Sequence, residues 1–279
     1  MKYSNSILVF IACFLFTNSN SQNIVKNKAL STIDWKHWKV TLPIGAPTEI
    51  GYPEILNYTN NDVLKKFMYN DVADGSVVFY AYPGAITSNA THSRTELREQ
   101  MEPGQNTPNW TFAQGARMKG TLSMDSISKD NKGIYHSTII MQIHGRLTDA
   151  QRKLIGQRDN NAAPVLKISW EDGLIKVKTK MLKDSNASAS ALLFADAWKD
   201  NKSFIFKQKV GFNKFSLEVK VSDGRLEVIL NNHESVVYEG FHMKQWGVFE
   251  NYFKAGNYLQ SNDVNAFAKV KYYALEVSH

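Results

Sequence analysis

Leu166-Lys167-Ile168-Ser169-Trp170, Glu171-Asp172-Gly173 and Leu174-Ile175-Lys176-Val177-Lys178-Thr179 run consecutively, and their reading decides the fold. Apolar and polar residues alternate on both sides of an Asp-Gly pair. Period two belongs to a strand with one buried face, and Asp-Gly tolerates the positive φ of a tight hairpin turn. The same design recurs where Phe215 to Val221 and Arg225 to Leu230 flank Ser222-Asp223-Gly224. Working outward, further strands are predicted at Trp38 to Leu42, Ser76 to Ala81, Arg94 to Glu102, Met118 to Ser123, Ser137 to His144, Val236 to Glu239, Tyr252 to Gln260 and Lys269 to Val277. Helical spacing is scarce. Short helices are predicted at Asp62 to Met68 and at Thr148 to Leu154, the second with Thr148 and Gln151 set as a capping box. So many short strands imply an all-β fold, a sandwich or jelly roll.

The ends and composition bound the rest. Lys2, the apolar run Ile7 to Phe16 and the small residues Ser19-Asn20-Ser21 have the order of a secretory signal, so residues 1–21 are expected to be removed. Ten apolar residues are too few for a membrane-spanning helix, which needs about 20. The product is expected to be secreted or periplasmic, with no membrane span. Cys13 is the only cysteine and leaves with the signal, so disulfides and thiolate metal sites are excluded from the remainder. No linker or internal repeat interrupts residues 22–279, which are read as a single domain and expected to be monomeric. The formal charge of +7 becomes +6 without Lys2 and favours a polyanionic partner, although a surplus of that size also serves solubility.

Three segments concentrate polar chemistry. In Arg94-Thr95-Glu96-Leu97-Arg98-Glu99-Gln100, strand alternation puts Arg94, Glu96, Arg98 and Gln100 on one face. Glu96 between two arginines can orient both guanidinium forks toward a carboxylate ligand. A solvated face of cross-linked charges is the alternative. Thr138 to Gly145 is an apolar run that ends by presenting Gln142 and His144 together, with Ile143 opposite. Histidine can take a proton near neutral pH, and glutamine can donate to a carboxylate without adding charge. In Tyr252 to Gln260, the residues Tyr252, Lys254, Gly256, Tyr258 and Gln260 share a face, and the missing side chain of Gly256 is read as room for a ligand.

Arg94-Thr95-Glu96-Leu97-Arg98, Gln142-Ile143-His144 and Tyr252-Phe253-Lys254-Ala255-Gly256-Asn257-Tyr258-Leu259-Gln260 resemble, in order and spacing, the signature strands of polysaccharide lyase family 7, the alginate lyases. Trp38-Lys39-Val40-Thr41-Leu42-Pro43 is similar to that family's opening strand. The resemblance implies a jelly-roll β-sandwich of two curved antiparallel sheets with a concave substrate groove. It also implies alginate as the substrate and β-elimination within the chain rather than at its ends, without a cofactor or metal. Arg94, Gln142, His144 and Tyr258 take the family's catalytic positions. Glu96, Arg98, Tyr252, Lys254 and Gln260 are assigned to the substrate-binding set.

In that scheme Arg94 and Gln142 hold the uronate carboxylate and Tyr258 protonates the leaving oxygen, while the base depends on the substrate: His144 removes the carbon-5 proton of guluronate, and Tyr258 serves as both base and acid on mannuronate, with His144 completing the carboxylate cluster. Lys254 is expected to ease ionisation of Tyr258. Isoleucine at position 143 resembles the form that accompanies activity on guluronate-containing chains. The row Lys176, Lys178 and Lys180 either extends the groove or is a solvated strand face, and Leu147 to Asn161 either covers the cleft or is an idle excursion. A non-catalytic polysaccharide-binding module and a lyase for another polyuronate such as glucuronan are the competing readings. Paired-carboxylate hydrolysis needs two carboxylates across the scissile bond and is disfavoured because Glu96 sits between arginines that keep it ionised rather than ready to donate a proton. A nucleic-acid binder is disfavoured because the cations form no phosphate-reading or base-reading motif.

Overall fold

The computed structural model describes residues 31–279. The expected signal segment, with Cys13, lies outside the described residues. Two sheets pack face to face. One runs in the order Glu234–Glu239, Arg225–Leu230, Phe215–Ser222, Ala116–Ile127, Ala268–Ser278, Val77–Ala81 and Met68–Asn70. The other, which carries the candidate site, runs Trp198–Asp200, Leu174–Leu182, Asn161–Glu171, Thr138–Arg146, Glu250–Leu259, Arg94–Glu99, Trp38–Thr41 and Glu49–Ile50. Neighbours along both paths are antiparallel, and the short Thr32–Ile33 strand adds a parallel pairing to Ala268–Ser278. The fold is the expected jelly-roll sandwich.

Alternation explains the core. Val40, Leu97, Ile143, Phe253 and Ala255 from the site sheet meet Phe79, Met118, Leu217, Val219 and Val270 from the other in one continuous apolar cluster, all of them within 1% of full burial. Each large aliphatic or aromatic side chain removed from water contributes roughly 1.5–3 kcal/mol, so a one-residue slip of any central strand is strongly disfavoured. Both Asp-Gly hairpins form. Asp172 and Gly173 both take positive φ (48° and 83°), whereas in the second turn Gly224 alone does so (63°).

The helix predicted at Asp62 to Met68 is not continuous. Leu64–Lys66 makes a single 3-10 turn, and Met68–Asn70 leaves it to pair with Val77–Ala81, because Leu64, Phe67 and Met68 must all reach the core. Asp149–Leu154 is helical, and both hydrogen bonds of the Thr148–Gln151 capping box are present. The short helix Phe241–Gln245 carried no sequence signal that separated it from a loop.

One irregularity shapes the site. Between Ala255 and Tyr258 the ladder to Thr138–Arg146 shifts, so that Gly256 and Asn257 stand against Ile140 alone. The opposite sheet fills the gap: the Tyr272 hydroxyl accepts from the Gly256 N–H (3.1 Å) and donates to the Ile140 carbonyl (2.5 Å). Asn257, fully buried, donates to the Phe79 and Ala268 carbonyls and accepts from the Thr138 hydroxyl. Gly256 is therefore required by its neighbours rather than by a ligand. Its φ is +131°, and a Cβ there would lie 2.7 Å from the Thr95 carbonyl oxygen and 3.1 Å from Glu96 Cα. Gly256→Ala is expected to cost roughly 3 kcal/mol, a fall in Tm of about 6–12 °C for a domain of this size; thermal unfolding checks it, and an unchanged Tm would refute the packing argument.

Candidate active site

Antiparallel register brings the three motif strands side by side. Lys254 stands opposite Arg98 on one side and Gln142 on the other, Tyr258 stands opposite Arg94, and Tyr252 opposite His144. Glu96 is the hub. It is 1% exposed, and its carboxylate accepts from Gln142 Nε2 (2.5 Å), pairs with Arg94 Nη1 (3.3 Å) and is in close contact with Lys254 Nζ. Burial opposes its ionisation, but Lys254, Arg94 and the Gln142 hydrogen bond outweigh that cost and hold the carboxyl below the usual range. Burial also pushes Lys254 down, with the Glu96 carboxylate working against the shift. One anion thus faces two cations, and the cluster has an uncompensated positive charge for one further carboxylate.

Arg98 does not share Glu96. Its guanidinium donates to the Glu99 and Asn106 carbonyls and to Asn109 Oδ1, and lies 4.1 Å from the centre of the Tyr252 ring. Glu99, on the core side of the same strand, accepts from the Trp110 indole and the Phe253 N–H. Nor does Lys254 attend Tyr258. The cation against that phenol is Arg94, 4.0 Å from the ring centre, because Lys254 is committed to Glu96. Gln260 lies just past the strand end and directs its amide to the Tyr258 and Leu259 carbonyls (3.0 and 3.4 Å).

His144 is half-buried and stacks on Tyr252, with centroids 5.3 Å apart and planes 12° from parallel. Its Nδ1 lies 3.0 Å from the Gly145 carbonyl, which can only accept, so Nδ1 carries the proton and Nε2 of the neutral ring is bare. Burial, then Lys254, lower its pKa to about 3. The ring is therefore neutral at working pH. Tyr252 is raised by burial, against the pull of Arg98, and stays a neutral phenol.

A cavity of about 400 Å³ opens on this cluster and is lined by Arg94, Arg98, His144, Tyr252 and Lys254. Gln142 (2% exposed) and Glu96 lie beneath that lining. Sequence reasoning missed several wall residues. Arg146 continues the alternation of Gln142 and His144, and pairs with Glu250 at 2.7 Å; period two alone could have found it. His92, outside that lining, lies against Tyr258 (centroids 6.5 Å apart) and pairs with Asn262. Asn89 and Asp159 come from separate loops, line the cavity and bond to one another at 3.2 Å. The segment from Leu147 to Asn161 is thus part of the cavity wall, with Asp159, Asn160 and Asn161 facing in. Lys176 pairs with Glu171 and Lys180 with Asp200, which leaves Lys178 alone of that row without an acidic partner among the described residues. No group of three or more His, Cys, Asp or Glu side chains gathers as a metal site among the described residues, and no helix there is long and apolar enough to cross a membrane.

Known structures share this architecture. Alginate lyase A1-II', described as a member of polysaccharide lyase family 7, is 29% identical, with 88% of this chain and 96% of that one covered and a TM-score of 0.69. A variant of A1-II' in complex with the substrate GGMG is 26% identical over 90% of this chain and 97% of that one, also with a TM-score of 0.69. The alginate lyase PA1167 from Pseudomonas aeruginosa, 22% identical over 88% and 100% with a TM-score of 0.65, shares the fold. No curated protein matches the chain in sequence. The family model described as alginate lyase matches residues 33–279, which takes in every strand of the site, and the chain belongs to this alginate lyase family, polysaccharide lyase family 7.

Proposed function

We propose that this alginate lyase cuts within guluronate-containing or mixed chains, with Arg94 and Gln142 holding the carboxylate of the reacting uronate, His144 as base and Tyr258 as acid. The observation that carries this reading is the single surplus positive charge around Glu96, beside a neutral imidazole whose Nε2 has no protein partner among the described residues. A bound carboxylate completes the charge balance, and donors directed at it stabilise the dianion that develops as carbon 5 is deprotonated. His144 Nε2 takes that proton. The freed electron pair forms the double bond between carbons 4 and 5, the bond from carbon 4 to the glycosidic oxygen breaks, and Tyr258 gives its proton to that oxygen. The products are a new reducing end and an unsaturated uronate at the non-reducing end of the other fragment.

Proton and leaving oxygen lie on opposite faces of guluronate, which suits a separate base and acid. In mannuronate they share a face, and Tyr258 serves as both. Ile143 is fully buried on the core side, so its influence on this preference reaches the groove only through the backbone that carries Gln142 and His144. Glu96 and Lys254 fix the carboxylate seat, and Arg98 and Tyr252 form the adjoining wall. Gln260 supports the Tyr258 end of the strand through its carbonyl contacts.

Ultraviolet absorbance of the new double bond tests the reading. Wild-type protein is expected to act faster on guluronate blocks than on mannuronate blocks and to release mixed oligomers early in the time course. Tyr258→Phe and His144→Asn are each expected to lower kcat by about 10²–10⁴ on guluronate. Binding without absorbance would instead identify a non-catalytic module, and a faster rate on mannuronate would overturn the preference. Because His144 takes up its proton only near pH 3 in the free enzyme, kcat/KM is expected to hold as pH falls through 6.5 and to decline well below it; an acid limb centred near 6.5 would count against His144 as the depressed base. The sign for stability is the same. Between pH 6.5 and about 3 the unfolded chain binds a proton that the folded chain refuses, so acidification across that window destabilises the fold.

We further propose that residues 1–21 direct export and that the mature monomer acts outside the cytoplasm. The order of basic, apolar and small residues supports this. Mass spectrometry of the exported chain is expected to find residue 22 at its N-terminus, and an intact Met1 would contradict it.

A further inference from the structure

Lys167 stands directly across from Gln142 on one side and from Lys178 on the other. Its chain neighbours Leu166 and Ile168 are fully buried in the core, so Lys167 shares the groove face with Gln142. Followed across the sheet, one transverse row reads Lys178, Lys167, Gln142, Lys254, Arg98 and Lys39. Most cations in or beside that row are accounted for: Lys39 by Glu49, Lys254 by Glu96, Arg98 by two carbonyls and Asn109, and Lys180 by Asp200. Lys167 and Lys178 have neither an ion pair nor a side-chain hydrogen bond among the described residues.

Lys167 is also partly withdrawn from water. Burial and the neighbouring Lys180 and Lys178 disfavour its charge; Asp200, which is bonded to Lys180 at 2.5 Å, and Glu96, which is held by Lys254 and Arg94, oppose them from beyond ion-pair distance. A partly desolvated cation without a counter-ion is unfavourable for the free protein. An anion that enters the groove would relieve that cost.

We propose that Lys167 and Lys178 form a second carboxylate seat on the groove floor, which binds a uronate further along the same polymer than the unit held at Arg94. The strands of Lys254 and Lys167 are two spacings apart, roughly 9.5 Å, about the span of two linked pyranose units. A chain laid across the strands therefore brings one carboxylate to the Glu96 cluster and a later one to Lys167. The seat requires a polyuronate substrate and so rests on the function proposed above, but it acts on binding rather than on the elimination.

The test is a length series of oligouronates with wild type, Lys167→Met and Lys167→Arg. Lys167→Met is expected to raise KM about tenfold on long chains, the scale of one charge-assisted contact, and to leave kcat and the KM of the shortest cleavable oligomer unchanged. Lys167→Arg should restore KM on long chains, and Lys178→Met, one strand farther from Gln142, should reproduce a smaller part of the effect. Thermal unfolding of Lys167→Met is expected to match or exceed wild type. An unchanged KM on long chains in the folded Met variant would overturn the seat. So would a KM raised equally on short and long chains, which would mean that Lys167 acts through Gln142 on the first seat. Wild-type protein inactive on alginate would be a failure of the proposed function instead, and calorimetric binding of the same oligomers to wild type and Lys167→Met would still decide the seat.

Discussion

A single buried carboxylate organises the site. Taking Glu96 out of water costs several kcal/mol, and the cost is offset only because Lys254, Arg94 and Gln142 converge on it from three strands. The dependence runs both ways. Without Glu96, the buried Lys254 would face Arg94 with no anion between them, and Gln142 would have no fixed partner for its amide. The carboxylate therefore sets the orientation of groups at the cavity as well as the packing of the strands that carry them. It does so while leaving one positive charge unbalanced. Full neutralisation would make a more stable protein and a worse receptor for an anion.

Much of this was legible in the chain because strands convert sequence into faces by simple parity. Arg94 and Glu96 were readable as neighbours, as were Gln142 and His144, and Ile143 and Leu97 as core. Parity says nothing about partners on other strands or in loops. Flanking in sequence suggests that Glu96 holds both arginines, but Arg98 finds nearer acceptors in Asn106 and Asn109, which no alternation connects to it. Lys254 looked like the neighbour of Tyr258 because both project from one strand, and the ladder shift at Gly256 and Asn257 intervenes. Lys167 was visible as a polar position in the deciding hairpin, yet its place beside Gln142 depends on register between strands. The contact of Asn89 with Asp159 joins two aperiodic segments and left no trace in the sequence.

The two sides of the cavity differ in how firmly they are held. Asn89 and Asp159 are exposed, and one neutral-to-charged hydrogen bond between surface loops contributes about 1 kcal/mol or less after competition with water. The floor is continuous with the central ladder of the sheet, where loss of any one strand exposes core. Access and positioning are thus divided between a part that opens cheaply and a part that does not open at all while the protein is folded.

The filling of the ladder shift by Tyr272 carries this further. The Gly256 amide donates to a hydroxyl that comes from the opposite sheet, and Asn257 bonds to two carbonyls there. Neither contact can break by fraying of an edge, since Glu250–Leu259 lies inside the sheet between Thr138–Arg146 and Arg94–Glu99. The Gly256 hydrogen should exchange with solvent only when the whole sandwich comes apart, at the free energy of global unfolding. The backbone that aims Tyr258 is accordingly among the last parts of the molecule to move, and whatever breathing the catalytic cycle needs must be drawn from the loops above it.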